Sequence, residues 1–297
     1  ASAIAGAHLA EALAAIKKER SGGEHAAEKP LRSAEYERFV KAPAEVEGAM
    51  APEGVEFAAF RIPKGRAKLP VGVSSLVIVP ELREVRVQVS FSRFASVSAN
   101  LQGEYEFDRG QVLPAVLTLP TGNEKWLPAA EVRGEGVFFT LDEERLAEWE
   151  QRPAVLERGK MLLDAFSVES RGADFPGIRF YLLHSLAHLL LTAISLECGY
   201  AASAIRERIY CAPPLGEGGP MAGVLLSTGT TGSEGTLGGL VEEGRRLRHH
   251  LREAWDLGRL CSNDPVCASH DPSSDADDRR LEGAACHGCL FIAECSC

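Results

Sequence analysis

The side chains best suited to chemistry crowd the end of this chain. Eight cysteines occur in 297 residues, and six of them fall in the last 37 positions: Cys261, Cys267, Cys286, Cys289, Cys295 and Cys297. Cys286 and Cys289 are separated by two residues, a spacing at which a tight turn aims two thiolates at one tetrahedral zinc ion. Cys261 and Cys267 offer a second pair upstream, Cys295 and Cys297 flank Ser296 downstream, and His270 and His287 compete as donors. Four thiolates close a zinc ion against water, so such a site staples a fold and does not catalyse. A structural Zn2+ is therefore the expected cofactor, and no catalytic residue is assigned. No basic leader precedes the apolar N-terminal stretch, so secretion is not expected and disulfides are disfavoured.

A second constellation lies in IRFYLLHSLAHLLLTAISLECGY. His184, Ser185, His188, Thr192 and Ser195 fall on one stripe of a 3.6-residue helix whose other positions are apolar. Two histidines four apart can share a metal. The protease pattern H-E-x-x-H needs Glu where Ser185 stands, so that chemistry is excluded. The simpler reading is a buried polar seam, His184, His188 and Ser195 above all, hydrogen-bonded to the backbone of a neighbouring loop. A hydrolytic site combining His184 and His188 with the loop Ser233-Glu234-Gly235 is the minority alternative.

Two further stretches invite binding. STGTTGSEGTLGGL lacks the Gly-Lys-Ser/Thr ending of a phosphate loop and the dinucleotide G-x-G-x-x-G spacing. Gly235, Gly238 and Gly239 could still admit an anion at a helix start, or let a loop pack against the histidine helix. Downstream, Arg245, Arg246, Arg248, His249, His250, Arg252 and Arg259 face only Glu253 and Asp256, the densest positive patch in the chain. It is expected either to be a solvated face or to contact DNA backbone or an acidic partner.

These groups need elements to hold them. An amphipathic helix is expected over residues 1–20, then a weakly patterned connector over 21–50. Strands are expected in VSSLVIVPELREVRVQVSFSRF, broken by a turn at Pro80-Glu81, and in EVRGEGVFFTL, paired around Gly134-Glu135-Gly136. Thr140 and Glu143 form a capping box that opens a helix running toward Pro153 and resuming beyond it. Gly199 should end the histidine helix. A short helix SAIRERI, a strand AGVLLST and the basic helix follow. The fold class is mixed α+β. It comprises a helical or poorly ordered connector (1–50), a β-rich region (51–150) and an α/β domain ending in a four-cysteine zinc knuckle (151–297).

Formal net charge is -10, the wrong sign for a free-standing nucleic-acid binder, so contact with DNA is expected through a local patch or a partner. Two histidines and three hydroxyl residues interrupt the longest apolar run, so no membrane span is expected. No motor motif is present.

Read together, EKWLPAAEVRGEGVFFTLDEERLAEWEQRPAV, LLHSLAHLLLTAISLECGYAASAIRERIY, GTLGGLV and CSNDPVC…LEGAACHGCL resemble the C-terminal half of the DrmB family of the DISARM anti-phage system. That family shares its zinc-binding end with MrfA-type DNA-repair helicases. The resemblance covers roughly residues 75–297. It implies a bacterial cytoplasmic subunit that partners a DrmA-type helicase, with DNA reached through the complex. An accessory zinc module for a DNA-repair helicase is the alternative. Aligned with the family tail AACHACLLLPETSCE, Cys286, Cys289 and Cys297 match zinc cysteines, while Cys295 falls where the family has Thr. The resemblance then implies a fourth ligand at Cys261 or Cys267, both matching a CSSDPLC-like segment.

Overall fold

The computed structural model describes residues 31–46, 54–65, 68–88, 90–91, 113–114, 117–118, 125–169, 175–201, 204–212, 219–229, 239–259 and 270–271. The expected N-terminal helix, the loop 230–238, His287 and all six terminal cysteines lie outside these residues. In chain order the elements are α1 (Leu31–Val40), β1 (Phe57–Arg61), β2 (Val73–Val87), β3 (Ser90–Phe91), β4 (Leu113–Pro114), β5 (Leu117–Thr118), β6 (Lys125–Trp126), β7 (Ala129–Leu141), α2 (Glu143–Glu150), α3 (Pro153–Glu169), α4 (Ile178–Cys198), β8 (Ile205–Ala212), β9 (Met221–Thr228), α5 (Gly239–Arg245) and α6 (Leu247–Leu257).

The chain divides into two compact units, one of residues 1–31 and 84–132, the other of residues 32–83 and 133–297. In the first, β3 pairs with β4 and β5 with β6, each antiparallel. The second is built on a five-stranded sheet in the order β1-β2-β7-β9-β8. The fold class is mixed α+β, as expected.

The two-residue period of the strands sorts side chains onto two faces of the sheet. Leu76, Ile78, Val137, Phe139, Val224 and Leu226 join one cluster with Leu183, Leu190 and Ile194 of α4, Leu240 of α5 and Leu247 of α6. Val77, Val79, Phe138, Leu225 and Tyr210 join the other with Phe39 of α1. Phe39 stacks on Phe138 at 4.8 Å between ring centroids. Burial on both faces accounts for the unbroken apolar run of β9. Helix α1 falls within the stretch expected to be a weakly patterned connector.

Several local expectations are corrected. No turn breaks β2 at Pro80. The β1–β2 register slips between Ala58↔Glu81 and Phe60↔Ile78, so Pro80 occupies an irregularity where its missing N–H is tolerated. Nor does β7 turn at Gly134-Glu135-Gly136. A Cβ on Gly134 would stand 1.7 Å from the Thr228 carbonyl oxygen, so this glycine serves close strand approach. The stretch expected as helix SAIRERI is largely strand β8. Ile205 and Ile209 are four apart, a spacing that places them on one face in either period. The cap of α2 is Asp142, whose Oδ1 accepts from the Arg145 N–H at 3.1 Å, not Thr140. Thr140 instead sits in β7, with its hydroxyl 2.7 Å from that of Ser74. The basic stretch is two helices, α5 and α6, separated at Arg246.

Candidate functional site

Helix α4 is long and apolar enough to cross a membrane by length and composition alone. In the fold it is a core helix, with Leu183, Ala187, Leu190, Leu191, Ala193 and Ile194 buried in the cluster shared with β8 and β9. It stops at Gly199, whose left-handed φ of 72° costs no steric clash and whose N–H donates to the Ser195 carbonyl at 3.1 Å.

The polar stripe of α4 meets β8. The strand puts Ile205, Glu207 and Ile209 on one face, so the two flanking isoleucines enter the α4 cluster with Glu207 between them. His184 Nε2 and His188 Nε2 lie 2.7 Å apart. Glu207 Oε1 lies 3.0 Å from the first and 3.2 Å from the second. His188 is fully buried, Glu207 nearly so, and the His184 side chain is about a third exposed. Burial pushes the Glu207 carboxyl up, but the hydrogen bonds and charges of the two histidines outweigh it and hold the group below the usual carboxylate range. Among the described residues, the seam thus meets a carboxylate on a strand. Farther along, the Thr192 hydroxyl donates to the His188 carbonyl at 3.2 Å, and Ser195 Oγ is buried without a partner among the described residues.

Glu207 carried no signal while its segment read as helix. Once β8 is recognised as a strand, Glu207 is an acidic residue on the core face between two isoleucines.

At the start of α5, where the glycines could admit an anion, the chain supplies one of its own. Glu135 of β7, 1% exposed, accepts from the backbone N–H groups of Leu240 at 2.9 Å and Val241 at 3.3 Å, and from the Tyr200 hydroxyl at 3.3 Å. The helix-start donors suited to a phosphate therefore already hold a carboxylate. Gly239 packs against Tyr200.

The basic residues divide into two groups. Arg245 grips both oxygens of Glu45 at 2.5 and 3.0 Å and also bonds Glu242. Arg246 pairs with Glu197 at 2.8 Å and Glu243 at 3.0 Å. His249 bonds Glu197, and fully buried His250 bonds Glu243 at 2.7 Å. Arg248, Arg252 and Arg259 are exposed and meet no carboxylate among the described residues. Trp255, 71% exposed, lies between them in sequence.

Two cysteines are described, and neither belongs to a cluster of metal-ligating groups among the described residues. Cys198 donates to the Ile194 carbonyl at 2.9 Å, and burial pushes its thiol up. Burial pushes the Cys211 thiol up to about 12. Of the histidines weighed beside the terminal cysteines, His270 is described, its carbonyl accepting from Arg158 at 2.9 Å.

Comparison with known proteins adds to this geometry. Residues 186–290 match the MrfA Zn-binding domain. The match spans His188, Glu207, Cys261, Cys267, Cys286 and Cys289, and ends before Cys295 and Cys297. The chain is also similar to the DISARM protein DrmB of Bacillus paralicheniformis, with 43% identity over 184 residues, covering 59% of this chain and 31% of that protein. It therefore spans about a third of that relative's length. The crystal structure of the DUF1998 helicase MrfA bound to DNA covers 77% of this chain and 24% of its own at 11% identity. Its TM-score is 0.28, and that likeness carries no argument about the site. The resemblance to DrmB and to an MrfA-type zinc-binding domain is thus found by direct comparison as well as in the motifs.

Proposed function

We propose that this chain is a non-catalytic subunit of a bacterial, cytoplasmic phage-defence complex of the DISARM kind. In that reading it docks on a DrmA-type helicase and helps form or regulate the path of DNA. The observation that carries the proposal is the 43% identity to the DISARM protein DrmB. Two features agree with it. The sequence offers no phosphate-binding loop of its own to run a motor. The exposed arginines Arg248, Arg252 and Arg259 gather near one helix of an acidic chain, as suits a local backbone contact that a partner completes. A structural Zn2+, held by Cys286, Cys289, Cys297 and either Cys261 or Cys267, would fix the end of the docking domain, with Cys295 outside the set.

The match to the MrfA Zn-binding domain favours a second reading, an accessory module for a repair helicase. One pair of experiments tests both. The chain, tagged at native level, is isolated from its host, and a helicase encoded at the same locus should co-purify. Loss of the gene should then raise sensitivity to phage and leave survival of DNA cross-links unchanged. A chain that purifies alone while that helicase is expressed overturns docking. Sensitivity to cross-links without sensitivity to phage moves the role to repair.

A further inference from the structure

We propose that His184, His188 and Glu207 form a metal site for a divalent transition cation such as Zn2+, separate from the terminal cysteines. The inference does not depend on helicase docking. It rests on three atoms: His184 Nε2, His188 Nε2 and Glu207 Oε1 stand 2.7, 3.0 and 3.2 Å from one another.

With Glu207 ionised, no arrangement of protons on the two histidines satisfies that triangle. With both Nε2 atoms protonated, two N–H groups face each other across 2.7 Å. With one protonated, the other nitrogen turns a lone pair toward a carboxylate oxygen about as far away as a hydrogen bond. With neither protonated, three lone pairs converge. In every case at least one short contact sets like against like. A cation at the centre takes one lone pair from each atom and removes the conflict. Donor atoms of a tetrahedral zinc bound at ~2.0–2.1 Å stand roughly 3.3 Å apart, so the contact between the histidines must open by about 0.6 Å and that between His184 and Glu207 by about half as much.

The carboxylate gives a second, independent sign. Glu207 Oε2 is buried and has no hydrogen-bond partner among the described residues. A buried carboxylate oxygen left unbonded is costly, and it becomes a ligand atom or the acceptor for a metal-bound water once a cation is present. The scaffold is also suited to the task. The histidines are one helical turn apart on a buried helix, and the glutamate projects from a strand hydrogen-bonded along its length to β9. The side chain of His184 is 34% exposed, which gives the cation an entry and leaves a coordination position for water. Two imidazoles and one carboxylate suit Zn2+ and its first-row neighbours and disfavour Mg2+ and Ca2+, which take oxygen. The other cluster of this kind among the described residues, Glu197 with His249 and His250, differs because Arg246 and Glu243 already complete its pairs.

The test is metal binding by the full chain, stripped by a chelator under reducing conditions and titrated with Co2+. Wild type is expected to take up one equivalent whose visible bands lack sulfur-to-cobalt charge transfer, besides any that shows it. His184→Ala and Glu207→Gln, each with unchanged circular dichroism, should lose that equivalent alone, with affinity falling beyond the roughly 10–100-fold that an outer-shell change costs. Cys289→Ser should leave it in place. If both folded variants bind as much cobalt as wild type, the proposal is wrong. Where a variant does not fold, the wild-type spectrum decides: cobalt bound only with sulfur charge transfer, or none, also overturns it.

Discussion

Glu135 shows how one side chain can settle what a segment is for. It lies in β7 beside Gly134, the residue that lets the strand approach the Thr228 carbonyl, and from there its carboxylate reaches the first turn of α5. A helix start leaves N–H groups without intrahelical acceptors, and here two of them are buried against a charged acceptor. Glu135→Ala should therefore strand two backbone donors and the Tyr200 hydroxyl. The expected loss is about 2–3 kcal/mol, since hydrogen bonds to charged groups are worth more than neutral ones. Glu135→Gln keeps one acceptor oxygen and should lose roughly half as much. Urea unfolding measures both, and the slope with denaturant should not change, because the native surface is preserved. A Glu135→Ala chain as stable as wild type would mean that water replaces the carboxylate without cost.

At the scale of elements, what was legible followed from how many constraints a segment carried. Helix α4 could be read with its stop because its apolar repeat is long and Gly199 closes it. Strand β9 could be read because burial on both faces made it an unbroken apolar run. Strand β8 could not, since Ile205 and Ile209 fit either period and only the pairing with β9 decides between them. The metal-site proposal shared that fate: two of its residues were visible as a helical pair, and the third was hidden in the misread strand. Pro80 and Gly134 misled for a related reason, because each marks an irregular or crowded point inside a strand as readily as a turn. Arg179 was missed altogether. It opens α4, is 4% exposed, and bonds Glu143 and Glu150 of α2 and the Ala212 carbonyl of β8. This one guanidinium ties two helices to a strand end. Arg179→Met should cost about 2–4 kcal/mol, below the full penalty for a broken buried pair because both carboxylates keep contact with water. Arg179→Lys should recover only part of that, since an ammonium cannot bond two carboxylates and a carbonyl in the same fork geometry. Thermal unfolding of the two variants checks the order. Equal loss from both would locate the effect in packing of the arginine stem.

At the scale of the whole molecule, charge decides how it can meet DNA. A chain of net charge -10 repels a polyanion overall, so any contact must come from cations whose charge is not already neutralised within the fold. Arg245 and Arg246 spend theirs on Glu45, Glu197, Glu242 and Glu243. Arg248, Arg252 and Arg259 meet no carboxylate among the described residues, and Trp255 beside them offers an aromatic face on which an unpaired base can stack. Replacing these three arginines by Ala should barely change stability, since exposed positions away from buried networks shift it by about 0.5 kcal/mol or less each. In the proposed complex with a helicase, DNA affinity should fall. The slope of log affinity against log salt should shrink by roughly 2 to 3, because each lost phosphate contact releases about 0.7–0.9 of a counterion fewer. Arg245→Ala is the matched control: it breaks the grip on Glu45 and should leave the slope alone. Fluorescence anisotropy on labelled DNA across several salt concentrations separates the cases. An unchanged slope in the triple variant would remove this face from the DNA path, and a changed slope in Arg245→Ala would mean that binding breaks the Glu45 pair to recruit that arginine.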